Sequence, residues 1–257
     1  MCYDDQAKPP LPPGEAGKAH GEEIVLTAAD GNRFYAYTAL PAGTTQAKSA
    51  VVIYPDIRGL HQFYRELALR FAEVGIPAIA VDYFGRTAGL TSRDEGFEFM
   101  PHVQKLRVDT FTQDVQAALA WVHETLGAQI AVYVVGFCMG GSLTLLTGAN
   151  RELGFSGLIP FYAGMSRDFG GTGTVLDNAS RVAYPVVGFF GGADQGIPEA
   201  SVHELESKLN QAGVSNRLTI YPGAPHSFFD RRSAEYADAS TDAWKHLLAF
   251  IQTNSVN

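Results

Sequence analysis

Three residues of this chain have the types and settings that acyl chemistry requires. Cys138 stands in Gly136-Phe137-Cys138-Met139-Gly140-Gly141, after an apolar run, Ile130 to Val135, that reads as a strand, and before Leu143, Leu145 and Leu146, which read as a helix. Strand, sharp turn and helix place the central residue at the tip of a strained elbow, and the glycines on either side remove side chains that would collide there. At the helix mouth the sulfur feels the positive end of the dipole, which favours thiolate, and the N–H of Met139 is left to donate to a developing oxyanion. The plain alternative is a small buried hydrophobe in a Gly-rich turn.

Context favours the elbow. A triad on a doubly wound sheet runs nucleophile, acid, histidine, with the last two on loops after later strands. Asp194 follows the strand-like Pro185 to Phe190 through Gly191-Gly192-Ala193, and His226 follows Leu218 to Tyr221 through Pro222-Gly223-Ala224-Pro225. Both would emerge at the carboxyl edge of the sheet, beside the cysteine. Asp177 precedes its strand, Glu199 belongs to the next helix and Asp82 precedes the elbow. Among the histidines, His203 and His246 fall in helical patterns and His20 in an N-terminal arm. His61, after the first strand of the alternating region, is the rival to His226.

The elements that must position these groups are legible in the hydrophobic period. Glu22 to Ala28 and Arg33 to Leu40, broken at Asp30-Gly31-Asn32, read as a hairpin. From Ser49 onward, solid apolar runs (Val51 to Tyr54, Ile76 to Val81, Ile130 to Val135, Gly157 to Tyr162, Pro185 to Phe190, Leu218 to Tyr221) alternate with segments of helical spacing. Solid runs suit strands covered on both faces. The helical segments carry Leu60 to Val74, Val108 to Leu126, Val202 to Ala212 and Trp244 to Ile251. The expected architecture is therefore α/β: a mostly parallel twisted sheet with helices on both faces, a hairpin in front, and one domain over residues 22–257 behind a Pro-rich arm, residues 1–21.

Composition narrows the function. Of 257 residues 46% are hydrophobic, and 19 basic against 27 acidic side chains leave a formal net charge of -8. An acidic balance without a Lys/Arg run argues against nucleic-acid and anionic membrane partners. No apolar stretch approaches the roughly 18 residues of a spanning helix, and no secretory signal opens the chain, so a cytoplasmic protein is expected. The 2 cysteines, Cys2 and Cys138, make no disulfide framework, although a redox pairing of the two is a rival use of the thiol. The 7 histidines form no His-x-x-x-His pair, so no metal is expected. Neither glycine-rich nucleotide-binding pattern follows a strand, and a monomer or homodimer that works without cofactor is expected.

Gly136-Phe137-Cys138-Met139-Gly140-Gly141, Gly191-Gly192-Ala193-Asp194 and Pro225-His226-Ser227-Phe228 together resemble the signature segments of the dienelactone hydrolase family, within the α/β-hydrolase superfamily, from about Glu22 to Ile251. The resemblance implies hydrolysis of esters or lactones through Cys138, His226 and Asp194 by way of a thioester, with no cofactor. It implies that Tyr54-Pro55-Asp56-Ile57-Arg58-Gly59 supplies a second oxyanion donor at Ile57 and an acid beside the resting cysteine at Asp56, where the family usually has glutamate. It also implies that Arg86, in Asp82-Tyr83-Phe84-Gly85-Arg86, anchors a substrate carboxylate. The position of the family's second arginine is Asp230 here, and Arg231 or Arg232 beside it is expected to take over the binding of the substrate.

The same nucleophile and oxyanion site suits activated phosphotriesters as a side activity, and a non-catalytic binding protein on the same fold is the rival of another class. Tyr54, Phe63, Tyr64, Tyr83, Phe84, Phe228 and Phe229 lie near the expected catalytic loops; they line a substrate pocket or belong to the core, and the sequence leaves both open.

Overall fold

The structure, a computed structural model, describes residues 6–43 and 47–256, so Cys2 and any pairing of it with Cys138 lie outside the described residues. β1 (Ala19–Thr27) and β2 (Arg33–Pro41) form the expected antiparallel hairpin, with Thr27 opposite Arg33. Its turn closes through Ala28 N–H to the Asn32 carbonyl at 2.8 Å, with Gly31 at φ +86°.

The remaining strands are β3 (Ser49–Tyr54), β4 (Ala78–Val81), β5 (Ala131–Phe137), β6 (Gly157–Phe161), β7 (Val186–Gly191) and β8 (Asn216–Tyr221). They complete an 8-stranded sheet in the order β1-β2-β4-β3-β5-β6-β7-β8. β2 meets β4 antiparallel, and every pairing from β4 onward is parallel. β4 begins at Ala78, two residues inside the apolar run, because Pro77 has no N–H for the ladder.

The helices are α1 (Gln62–Glu73), α2 (Gly85–Ala88), α3 (Met100–Val103), α4 (Val108–Leu126), α5 (Met139–Thr147), α6 (Val175–Asn178), α7 (Glu199–Gln211) and α8 (Ala237–Thr253). The long ones match the expected periods. α1 turns Phe63, Tyr64, Leu67 and Phe71 inward and stops near Gly75, at φ +86°. α5 differs in kind, since every one of its residues is buried, the hydroxyls of Ser142, Thr144 and Thr147 donating to backbone carbonyls. The short α2, α3 and α6 carry too few turns to leave a hydrophobic period in the sequence.

Chain order places the site. After β3 the chain crosses to β4 on one side, and then returns past β3 to β5 on the other. Connections leaving β3 and β5 diverge at their carboxyl ends, which opens a crevice at that switch point. The described part of the N-terminal arm, from Gln6, is packed on the domain: Pro9 and Pro12 are buried, Trp244 Nε1–H donates to the Pro10 carbonyl at 3.0 Å, and Gly17 N–H donates to Glu73 O at 2.7 Å. Among the described residues no helix is long and apolar enough to cross a membrane.

Candidate active site

β5 ends at Phe137 and α5 begins at Met139, so Cys138 alone makes the turn, at φ +55° and ψ −113°. A side chain held in that region costs of order 1–3 kcal/mol, which surrounding contacts must offset. The Cys138 N–H donates to Phe161 O at 3.1 Å and the Ser142 N–H to Cys138 O at 3.1 Å. The flanking glycines answer to close approach. A Cβ at Gly136 would stand 2.2 Å from Gly140 O, and one at Gly140 would stand 2.2 Å from both Tyr54 O and Pro55 O. Position 140 therefore lets the first turn of α5 lie against the loop after β3. In that first turn the N–H of Met139 has no intrahelical acceptor.

The loops after β7 and β8 are stitched together by backbone. Gly192 N–H donates to Tyr221 O and Ala193 N–H to Ala224 O, each at 2.9 Å, and a Cβ at Gly191 would stand 2.3 Å from Ala224 O. This brings His226 Nδ1 to 2.6 Å from Asp194 Oδ2, while Asp194 Oδ1 accepts the Gly196 N–H at 2.8 Å. The Asp194 side chain is 2% exposed and that of His226 28%, so the acid is sealed and the imidazole reachable. The ring of Tyr162 backs the imidazole with centroids 4.9 Å apart, and its hydroxyl donates to Asp230 Oδ2 at 3.3 Å.

Cys138 and His226 share one cavity of about 210 Å³, lined also by Ile57, Met139, Ser142, Gly164, Arg167, Phe169, Gly196 and Ile197. Its walls are mostly apolar, and the single permanently charged side chain on them is Arg167. A larger open hollow of about 720 Å³, between Tyr221 and Lys245, carries neither Cys138 nor His226. Among the described residues no cluster of His, Cys, Asp or Glu could hold a metal ion.

Of the residues expected at the site, the structure gathers Cys138, His226, Asp194, Ile57 and Met139. Asp56 lies just beneath, 1% exposed, where its Oδ1 accepts Arg58 N–H at 2.9 Å and faces His61 Nε2 at 3.4 Å. His61, the rival base, is thus buried beside Asp56 and does not line the cavity.

Arg86, the expected substrate anchor, lies away from the cavity of Cys138. Its guanidinium is engaged by both oxygens of Asp114 at 2.8 and 3.0 Å, by Thr110 O at 2.9 Å and by Asp30. It is therefore tied to the hairpin turn and α4 and does not line the cavity. Arg231 is exposed outside the cavity, and Arg232 is paired with Glu235 at 2.6 Å.

Tyr54, Tyr83 and Phe228 are core, not pocket: each is at most 1% exposed and none lines the cavity. Tyr83 donates to Pro55 O, Tyr54 lies edge-on to Phe111 at 5.0 Å, and Phe228 packs on Tyr221 at 5.1 Å. Burial, reinforced by the neighbouring Asp56 carboxylate, pushes the Tyr83 hydroxyl well above its ordinary range, so it stays protonated.

The residues that sequence reasoning missed are Arg167, Phe169 and Ile197, on irregular loops after β6 and β7. One signal was available: a long strandless segment after a central parallel strand opens at the carboxyl edge, and Arg167 is the cation on it nearest the strand end.

Comparison with known proteins places the chain in a family. The profile of the dienelactone hydrolase family matches residues 34–255. A Synechocystis sp. protein named "Putative carboxymethylenebutenolidase" is 30% identical over 227 residues, covering 84% of this chain and 90% of its own. Among solved structures, a "putative dienelactone hydrolase" from Klebsiella pneumoniae superposes with a TM-score of 0.81 at 23% identity, over 92% of this chain and 100% of that one. A dienelactone hydrolase-like promiscuous phosphotriesterase from metagenomic libraries gives 0.76 at 19%, over 92% and 98%. With the family profile spanning both the elbow and the paired Asp194 and His226 loops, this chain belongs to the dienelactone hydrolase family.

Proposed function

We propose that the protein hydrolyses carboxylic esters or lactones by covalent catalysis at Cys138. The observation that carries this reading is the His226–Asp194 pair, at 2.6 Å, opening into the same cavity as the cysteine. Asp194 holds Nδ1–H of the imidazole, which leaves Nε2 to move protons. The thiol proton passes to His226 Nε2 as sulfur attacks the carbonyl carbon. The N–H groups of Met139 and Ile57 hold the resulting oxyanion, a contribution of about 2.7–4 kcal/mol per donor. The C–O bond then breaks, the proton passes from His226 to the leaving alkoxide, and a thioester remains. Water, losing its proton to the same nitrogen, attacks the thioester and frees the acid and the thiolate. Asp56, buried next to this loop, serves as the acid partner of the resting site.

Arg167 gives the cavity its selectivity for charge. It makes no ion pair among the described residues, so its guanidinium is available to an anionic group of the substrate.

Activated phosphotriesters are a side activity supported by the same donors and by the likeness to a fold that also serves a promiscuous phosphotriesterase. Sulfur would displace aryloxide and water would then have to cleave the S–P bond. Turnover of an aryl phosphotriester well beyond one equivalent per protein is the expected result, and a burst that stops at one equivalent refutes it.

The main test pairs iodoacetamide labelling with a Cys138→Ala variant assayed on a short aryl ester. Labelling at Cys138 that removes activity, together with loss of turnover in the variant, is expected. Undiminished turnover in Cys138→Ala would remove the nucleophile from the scheme.

A further inference from the structure

The connection from Gly89 to Phe99, between α2 and α3, has no regular structure, yet it contains a buried cation. The Arg93 side chain is 2% exposed and its partner Asp82, at the end of β4, 1%. The pair is bidentate: Arg93 Nε donates to Asp82 Oδ1 at 3.1 Å and Nη2 to Oδ2 at 2.8 Å. The remaining donors of the guanidinium go to Thr91 O at 2.6 Å, Gly89 O at 3.0 Å, Thr91 Oγ1 at 2.7 Å and Ser92 O at 3.3 Å, and its face lies 4.5 Å from the Phe97 ring. Burying two charges is costly unless each hydrogen-bonding site is filled, as here, and such a pair is not the cheapest way to stabilise a loop.

Its placement suggests a different use. Asp82 Oδ1 also accepts the N–H of Leu60 at 3.4 Å, and a Cβ at Gly59 would stand only 2.8 Å from that oxygen. One residue along, Asp94 O accepts from Arg58 Nη2 at 2.9 Å, and the Arg58 guanidinium lies 5.6 Å from the Phe99 ring. Consecutive residues of the excursion, Arg93 and Asp94, thus hold the loop on the carboxyl side of Ile57, the first through Asp82 and Leu60, the second through Arg58. Ile57 itself lines the cavity of Cys138.

We propose that Arg93 is a positioning residue of the reaction: through Asp82 it fixes the backbone on which the Ile57 N–H faces the oxyanion. The proposal rests on the reading of that N–H as an oxyanion donor. Arg93 touches neither substrate nor sulfur. Its contribution belongs to the transition state, where the donor must meet the oxyanion at hydrogen-bond distance, and a small misplacement there is felt strongly.

The test uses Arg93→Met and Arg93→Lys, each assayed on a neutral aryl ester and labelled with iodoacetamide. Alkylation of Cys138 needs no oxyanion site and so reports the nucleophile separately. For Arg93→Met, kcat falls about 10- to 100-fold while KM and the alkylation rate stay within about twofold. Arg93→Lys, which keeps the charge but loses the fork, recovers part of kcat. Tyr133→Leu, a core variant at the amino end of β5, serves as the stability control.

A folded Arg93→Met with unchanged kcat overturns the proposal, and so does an equal kcat loss in Tyr133→Leu at the same drop in Tm. If Arg93→Met does not fold, Arg58→Met cuts only the second tie and must show the same split of kcat from KM; unchanged kcat there also overturns it. Failure of the wild-type thiol to label at all would instead strike the reading of Cys138 as nucleophile, so the two failures are distinct.

Discussion

Gly140 approaches Pro55 so closely that a Cβ at position 140 would stand 2.2 Å from the Pro55 carbonyl oxygen. Both neighbours are backbone, one the first turn of α5 and the other the loop that leads to Ile57, so neither can swing aside as a side chain would. Gly140→Ala is expected to lower stability by about 1–3 kcal/mol as the two segments part. Parting them also moves Met139 away from Ile57, so activity should fall further than unfolding alone explains. Chemical denaturation together with kcat on the folded fraction checks this; a variant with wild-type activity and midpoint contradicts it.

Asp194 is sealed from solvent and directed at His226 Nδ1. Asp194→Asn retains the shape but can favour the tautomer with its proton on the wrong nitrogen, a change that costs about 10⁴ in kcat in the well-studied serine triads. A loss of at least 10²-fold is expected here, with folding unaffected. The measurement is kcat for a short aryl ester, accompanied by circular dichroism, and a loss under threefold would mean that the carboxylate only supports the loop.

Arg167 is the charged reader of the cavity in the proposed scheme. Arg167→Gln should raise KM about tenfold for an ester bearing a free carboxylate and leave a neutral ester of the same shape unchanged, as expected for one charge-assisted contact. Parallel kinetics on the matched substrates decide it. An equal effect on both would assign Arg167 to loop structure alone.

The Asp114 carboxyl, held by Arg86 and Asn32, is pushed by burial up to about 6 from an ordinary 3.8, the donors offsetting only part of that effect. Between those two values the folded chain binds a proton that the unfolded chain has released, so this group makes stability fall as pH rises across the window. Compared with Asp114→Asn, the wild type should lose up to about 3 kcal/mol of relative stability between pH 4 and 7. Urea titrations of both proteins at several pH values test the sign, and a difference independent of pH rejects it.

Reading the chain in one dimension recovered the strands, the long helices and the elbow, because each leaves a local mark: apolar runs, a repeat near 3.6, glycines around a cysteine. Chain order alone selected Asp194 and His226, since loops after parallel strands share an edge. Side-chain direction left no such mark. Tyr54 and Phe228 sit next to the candidate catalytic loops in sequence but point into the core, while Arg167, with no motif around it, faces the cavity. Arg86 looked available because the sequence does not show that Asp30 and Asp114 converge on it from the hairpin turn and from α4. The Arg93–Asp82 pair was invisible for the same reason: an arginine in a polar loop reads as solvated until the fold closes over it.

The φ of +55° at Cys138 belongs to the turn and not to the sulfur. Alanine or serine at that position would inherit the same discomfort, and only glycine would be at ease there. Relaxing the backbone and losing the proposed nucleophile are therefore a single event at this position, so a search for heat-resistant variants that ignored turnover would drift toward Cys138→Gly. The tension in that one peptide unit is thus set by the geometry of the turn, whatever side chain stands there.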